Sequence, residues 1–266
     1  MSNVLTRSVE PPCKDNYAVV MTACIDPSMG GITVHRADPA VRLADYESAL
    51  RFWLRLDDAR LRRVVFLENS GYSLDALRSL VAVENKLNKQ VEFVSMRCND
   101  VPPGVSYGYA ELAMLELGLK QSTLAQHSRY LIKATGRLTF PTLPRLLDRL
   151  PNEYLFAVDC RNNARFVRSP QRFVTTQLMI LSHEFFEREI VGAKDRLSPQ
   201  IPLIENLLFE LVLRYRHDPS AILRWPVNVD PVGQAAHWAK RYDAPKARLV
   251  NLMRAACRRI LPEWWV

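Results

Sequence analysis

Five apolar runs, each ending in polar residues, constrain this chain more than any other feature: "YAVVMTACI" (17–25), "RVVFLENSG" (63–71), "VEFVSM" (91–96), "RYLIKA" (129–134) and "EYLFAVDC" (153–160). They are apolar along most of their length instead of alternating, so both faces of each strand should be buried. Between them lie segments with helical spacing. "LADYESALRFWLRL" (43–56) puts Leu43, Tyr46, Leu50, Trp53 and Leu54 on one side, and "SLDALRSLVAVENKL" (73–87) opens at Ser73, a good N-cap. "YGYAELAMLELGL" follows Pro102-Pro103-Gly104 and stops near Gly118, and "PTLPRLLDRL" opens at a proline. Strands alternating with helices require crossover connections. The expected fold class is therefore α/β, a Rossmann-type, mostly parallel sheet with helices on both faces.

Beyond Arg161 the pattern turns helical, in "TTQLMILSHEFFEREI" and "IPLIENLLFELVLRY". Residues 1–16, polar with Pro11-Pro12, read as a flexible arm. The domain proper spans 17–216, and 217–266 form a basic helical extension. Of the 266 residues, 48% are hydrophobic, enough for a sizeable core. The formal net charge of +8 favours anionic partners: nucleotide phosphates, nucleic acid or an acidic membrane surface. The five cysteines (Cys13, Cys24, Cys98, Cys160 and Cys257) have no metal-ligand spacing, and the five histidines are scattered, so reduced thiols in a cytoplasmic protein are expected. The first residues lack the apolar run of a signal peptide, and no apolar stretch approaches the roughly 18 residues of a membrane span. No P-loop, GxGxxG, HExxH or GxSxG motif is present, which disfavours P-loop kinases, dinucleotide oxidoreductases and α/β-hydrolases.

In α/β sheets of this kind ligands bind at the carboxyl ends of the strands. Here those ends read "TACIDP", "ENSG", "KATGR" and "VDCRNN". The third, in "YLIKATGRLTF" (130–140), joins Lys133, Thr135, Gly136 and Arg137. A point cation, a hydroxyl, a flexible turn and a guanidinium fork suit a diphosphate. A solvated turn has the same composition, and from this motif alone that reading stays open.

The order of segments resembles the nucleotide-sugar-dependent glycosyltransferases of the GT-A fold, and among them a group of bacterial polysaccharide-biosynthesis enzymes with a G-x-G/Y-x-E helix and a K-x-TGR strand. "YGYAELAMLELGL" stands where that helix stands, and "RYLIKATGRLTF" where the strand carrying an Asp-x-Asp normally stands. "EYLFAVDC" looks like the strand near the acceptor. "RFVTTQLMILSHEFFER" looks like a polar turn, a strand and a helix, and "IPLIENLLFELV" like the next helix. The resemblance covers roughly residues 17–215. It implies a glycosyltransferase that moves a sugar from a nucleotide-sugar donor to a hydroxyl of a bacterial surface polysaccharide, such as lipopolysaccharide or capsule, or of a lipid-linked glycan. The chain departs from the pattern in having no Asp-x-Asp anywhere. The expectation is therefore no cofactor, in particular no DxD-bound divalent metal, with Lys133 and Arg137 meeting the charge of the leaving diphosphate and both side chains dispensable for folding.

The remaining site expectations come from the strand ends and, for Glu111, Thr176, Gln177 and Glu205, from the segments that carry the resemblance. Thr22, Asp26, Glu68 and Asn69 are the candidate nucleotide contacts, although Asp26-Pro27 and Asn69-Ser70-Gly71 also read as ordinary turns. Glu111, Arg161, Thr176 and Gln177 are the candidate sugar and acceptor contacts, while Glu111 also suits the first turn of its helix. An inverting mechanism needs a carboxylate base, Asp159 first and Glu205 second. Asp159 also reads as half of a structural Asp–Arg pair, and Glu205 as a charge flanking an apolar stripe. The rival readings are a nucleic-acid- or nucleotide-binding protein, for which no recognition motif is present, and a non-catalytic glycosyltransferase-like scaffold. In "KARLVNLMRAACRRILPEWWV", Leu249, Leu252, Met253, Ala256 and Ile260 fall on one helical face, Arg254 and Arg258 opposite, and Trp264 and Trp265 follow. That pattern suits a helix lying on an anionic inner-membrane surface through residues 246–266, and equally a helix docked on the core with its arginines in water.

Overall fold

The computed structural model describes residues 16–30, 34–162, 172–234, 242 and 245–261. Apart from Asn16, the arm expected over 1–16 lies outside them, as do Trp264 and Trp265. The strands are β1 (Tyr17–Ala23), β2 (Arg63–Glu68), β3 (Gln90–Ser95), β4 (Tyr130–Thr135), β5 (Phe156–Ala157), β6 (Cys160–Asn162), β7 (Arg172–Val174), β8 (Leu178–Ser182) and β9 (Ala221–Ile222). The helices are α1 (Pro39–Arg55), α2 (Asp75–Glu84), α3 (Gly108–Gln121), the short α4 (Thr123–Gln126), α5 (Leu143–Leu147) and α6 (His183–Phe185), then α7 (Ile204–Leu213) and α8 (Pro245–Ile260). No helix among the described residues is long and apolar enough to cross a membrane.

Seven strands form one mixed sheet in the order β3-β2-β1-β4-β8-β5-β9, and β6 and β7 form a separate ribbon. The pairs β2–β3, β1–β2 and β1–β4 are parallel, as is β5–β9; β8 runs antiparallel to both β4 and β5. The fold is thus α/β with a mostly parallel sheet, helices on both faces and a helical C-terminal segment. The continuous apolar runs have the expected cause. Ala18, Val20, Val65, Leu67 and Leu131 pack against α3, α6 and α7. Their neighbours Val19, Met21, Val64, Phe66 and Ile132 pack against α1, α2 and α5 on the other face. Helix α1 begins where Pro39 presets φ and the Asp38 carboxylate accepts a hydrogen bond from the Ala40 amide at 2.8 Å.

Three expectations change. "TTQLMILSHEFFEREI" is not helical throughout: Leu178–Ser182 is strand β8, because five consecutive buried side chains fill the gap between β4 and β5. "EYLFAVDC" pairs in the main sheet only over Phe156–Ala157, since Cys160 already belongs to the ribbon with β7. The sheet also runs past the boundary set at residue 216, because β9 pairs with β5.

Candidate active site

Strand order reverses between β1 and β4: the chain leaves β1 towards β2 on one side and returns in β4 on the other. A crevice opens at the carboxyl ends of two such strands because their following connections diverge. Here it is a cavity of about 320 Å³. Thr22 and Cys24 line it from β1 and its end, Asn69 from the end of β2, and Thr135 and Arg137 from β4 and its turn; Tyr107 comes from the residue before α3 and Glu111 from its first turn, Thr176 and Gln177 from the loop before β8, and Glu205 from α7.

The turn after β4 is pinned tightly. The Gly136 amide donates to the Thr22 carbonyl at 2.9 Å, and a Cβ at Gly136 would lie 2.7 Å from that same oxygen. Only glycine lets the backbone approach so closely. The turn aims Arg137 into the cavity, where Nη1 donates to the Gln234 carbonyl at 3.0 Å.

Lys133 does something else. It points into the interior, 2% exposed, with Nζ 2.6 Å from Glu111 Oε1 and 2.5 Å from the Thr176 carbonyl. Of the two cations expected at the diphosphate, Arg137 lines the cavity and Lys133 does not. An ammonium at mid-strand, one residue before β4 ends its antiparallel pairing with β8, falls under α3, and Glu111 neutralises it there. Thr22 also donates to Glu111, at 3.0 Å. Lys133, Glu111 and Thr22 thus tie β4, α3 and β1 together beneath the cavity.

Glu205 faces the cavity from the first turn of α7 and accepts from the Thr176 hydroxyl at 3.2 Å. Burial raises its pKa, and the nearby Glu111 charge adds to this. Burial likewise pushes the Tyr107 phenol up, with Glu205 and Glu111 contributing. Asn69 is 3% exposed, and its Oδ1 has no hydrogen-bond partner among the described residues.

Besides Lys133 and Gly136, four expected site residues do not line the cavity. The Glu68 carboxylate is buried and caged: it accepts from the amides of Ile25, Ser70, Gly71 and Tyr72 at 2.8–3.2 Å and from the Ser70 hydroxyl, so it shapes the loop instead of meeting a ligand. Asp26 caps the turn at the Ser28 amide, 2.9 Å away, and the Ser28 hydrogen bonds hold its pKa down. Asp159 is buried with both oxygens taken, Oδ2 by Arg161 at 3.1 Å and Oδ1 by Arg258 of α8 at 2.6 Å. Arg161 is its partner there. Asp159 and Arg161 are therefore the structural pair that the sequence left open, extended by Arg258.

The cavity also holds residues the sequence did not single out. Arg42 is buried at the end of β1, where it donates to the carbonyls of Cys24 and Arg36 and to the Tyr46 hydroxyl. Its spacing of four from Tyr46 on α1 was the available signal. Tyr107, four residues before Glu111, had a similar one. Tyr242 reaches Gln177 across 65 residues of sequence, and nothing local announces it.

No protein-family model matches the chain, and no curated protein matches it. Among solved structures it is similar to the Q189E active-site mutant of LgtC, with 10% identity, 90% of this chain and 95% of that one covered, and a TM-score of 0.48. It is also similar to the mannosyltransferase Ktr4p from S. cerevisiae, at 9% identity with 75% and 64% covered and a TM-score of 0.44. A third is the glycosyltransferase GlyE in Streptococcus pneumoniae TIGR4, at 9% identity with 77% and 44% covered and a TM-score of 0.45. The chain thus spans less than two thirds of the solved Ktr4p and GlyE chains.

Proposed function

We propose that this chain is a glycosyltransferase of GT-A-like architecture, transferring a sugar from a nucleotide-sugar donor to a hydroxyl of a bacterial surface polysaccharide or lipid-linked glycan. The observation that carries the reading is the sharing of one strand-end cavity by the Arg137 guanidinium and the half-buried Glu205 carboxylate. Sugar transfer needs these two functions: a fixed cation where the leaving diphosphate gathers charge, and a carboxylate that takes the acceptor's proton. A base with a raised pKa is stronger, and burial gives Glu205 that property. Glu205 takes the role of base, since Asp159 is committed to two arginines outside the cavity.

Thr22 and Asn69 face the nucleotide in this reading. A buried acceptor without a partner costs about 1–3 kcal/mol, and a donor group of a base or ribose at Asn69 Oδ1 removes that penalty. Thr135 assists Arg137 at the diphosphate, and Glu111, Thr176 and Gln177 face the sugar. Lys133 acts through Glu111, which it holds in place.

A metal at this site would need carboxylates. The chain has Lys133, Ala134 and Thr135 on the strand that resembles the Asp-x-Asp strand, and among the described residues no three His, Cys, Asp or Glu side chains gather to hold a metal ion. The cavity's carboxylates are Glu111, already paired with Lys133, and Glu205, and this reading gives the leaving group's charge to Arg137. The finer parts of the proposal are a cytoplasmic location and peripheral attachment to an anionic inner-membrane surface through residues 246–266. Thermal-shift titration with UDP-, GDP- and CMP-sugars tests the enzyme reading. Stabilisation by one nucleotide class is expected, and a chain indifferent to all three is not a nucleotide-sugar enzyme.

A further inference from the structure

The backbone of the loop between β7 and β8 is fixed at consecutive residues. The Thr175 amide donates to the Asp159 carbonyl at 3.1 Å, and the Gln177 carbonyl accepts from the Thr135 amide at 2.8 Å. Between them the Thr176 carbonyl accepts from Lys133 Nζ at 2.5 Å. The outer two are backbone pairs that nearly any sequence can make; the middle one needs this lysine. Thr176 is 6% exposed, and its hydroxyl donates to Glu205 Oε1 at 3.2 Å. A hydroxyl has one proton to give, and a β-branched side chain is stiff at χ1, so fixing the Thr176 peptide fixes where that proton points.

An ammonium has three N–H donors. Those of Lys133 meet Glu111 Oε1 at 2.6 Å, the Thr176 carbonyl at 2.5 Å and the Thr135 hydroxyl at 3.4 Å. With its donors engaged and only 2% of the residue exposed, this lysine acts through its neighbours and not on a ligand. Two of those neighbours lead to carboxylates of one cavity: Glu111 directly, and Glu205 by way of the Thr176 hydroxyl. Burial raises the Glu205 pKa and the Glu111 charge adds to it, while the Thr176 hydrogen bond and the Lys133 charge oppose the rise. The groups acting on Glu205 thus come from α3 (Glu111), β4 (Lys133) and the β7–β8 loop (Thr176), and the Tyr107 phenol ahead of α3 is coupled to it in turn.

We propose that Thr176 and Lys133 are positioning residues for the base: the Lys133 ammonium fixes the Thr176 peptide, and the Thr176 hydroxyl holds the Glu205 carboxylate turned towards the acceptor. The proposal rests on the reading of Glu205 as base and extends it to the residues that aim it. In the transfer step the acceptor oxygen bonds to the anomeric carbon. The bond from that carbon to the diphosphate breaks, its electron pair leaves with the diphosphate, and the acceptor's proton passes to Glu205. Thr176 and Lys133 keep their protons throughout.

Variants of the full chain test this with two readouts. Carboxyl-carbon NMR of glutamate-labelled protein, with Glu205 assigned by Glu205→Gln, needs no substrate. Thr176→Val matches the shape of threonine and removes the donor, and it is expected to move the Glu205 titration about one pH unit higher. Thr176→Ser is expected to restore most of that change. The second readout is turnover of whichever of UDP-glucose, GDP-mannose and CMP-N-acetylneuraminate stabilises the chain. In Thr176→Val, kcat should fall about tenfold to a hundredfold with KM within about twofold, and the acid limb of the pH–rate profile should move with the NMR titration. Lys133→Met, assayed at a temperature where circular dichroism shows it folded, should move both readouts in the same direction. Adding Thr176→Val to it should change them by less than the sum of the two. A Glu205 titration unmoved in folded Thr176→Val overturns the proposal, and so does a loss confined to KM. Thr176→Ser no better than Thr176→Val overturns the role of the hydroxyl. A Glu205 that titrates as expected in a chain that turns over none of these sugars sinks the enzyme reading and leaves the network standing; an unmoved titration in an active enzyme does the reverse.

Discussion

Replacing Lys133 with methionine keeps the length of the side chain and removes its charge. The ammonium is 2% exposed and lies 2.6 Å from Glu111, whose side chain is 14% exposed. Its loss leaves the Glu111 carboxylate almost dry and facing Glu205 with no cation between them. Removing one partner of a buried ion pair costs about 3–5 kcal/mol. Glu111 keeps some water and the Thr22 hydroxyl, so the lower end, about 3 kcal/mol, is expected. With an unfolding entropy of about 2.1 cal/mol/K per residue, a chain of 266 residues loses Tm by about 5 °C. Adding Glu111→Gln removes the stranded charge, so the double variant should recover more than half of the loss. Scanning calorimetry and urea unfolding of wild type, both single variants and the double variant give the coupling directly. A Lys133→Met protein as stable as wild type, or a double variant whose losses simply add, would refute the claim that this lysine is neutralised inside the fold. The outcome also decides the sequence-level expectation that Lys133 is a ligand cation dispensable for folding.

Arg137→Ala should weaken nucleotide-diphosphate binding by about 1.5–3 kcal/mol with little change in Tm, read by isothermal titration. Glu205→Gln should remove about 10²–10⁴-fold of transferase activity if Glu205 is the base. Its stability effect has a definite sign: the folded pKa is raised, so wild type is relatively most stable below the ordinary carboxylate pKa and loses that advantage as pH rises through the folded value. Glu205→Gln should therefore gain on wild type as pH increases towards neutrality, and parallel Tm–pH profiles for the two proteins would contradict this. Transferase activity should survive excess EDTA; complete loss, reversed by manganese or magnesium, would show a metal site that the arrangement of carboxylates does not suggest. Gly136→Ala should destabilise by about 1–3 kcal/mol in urea unfolding, because its Cβ meets the Thr22 carbonyl and backbone cannot yield as a side chain can.

The sequence by itself determined the central sheet. Strands β1 to β4 and helices α1 to α3 fall where apolar runs and helical spacing put them, because burial on both faces writes an uninterrupted pattern into local sequence. It also determined which strand ends are polar, and with them four residues of the cavity, Thr22, Asn69, Thr135 and Arg137; Glu111, Thr176, Gln177 and Glu205, which line it too, were expected there only through the family resemblance. Tertiary structure alone decided how charges pair. Lys133 finds Glu111, Asp159 finds Arg258 across 99 positions, and Glu68 turns inward to four amides; a carboxylate in sequence looks the same whether it will face a ligand, an arginine or its own loop. The same holds for β8, whose apolar residues suit helix or strand until β4 and β5 leave a strand-wide gap between them. Helix α8 shows the division most plainly. Its period put leucines and arginines on opposite faces, but which face turns inward depended on a buried carboxylate at Asp159, a position that helical periodicity cannot see.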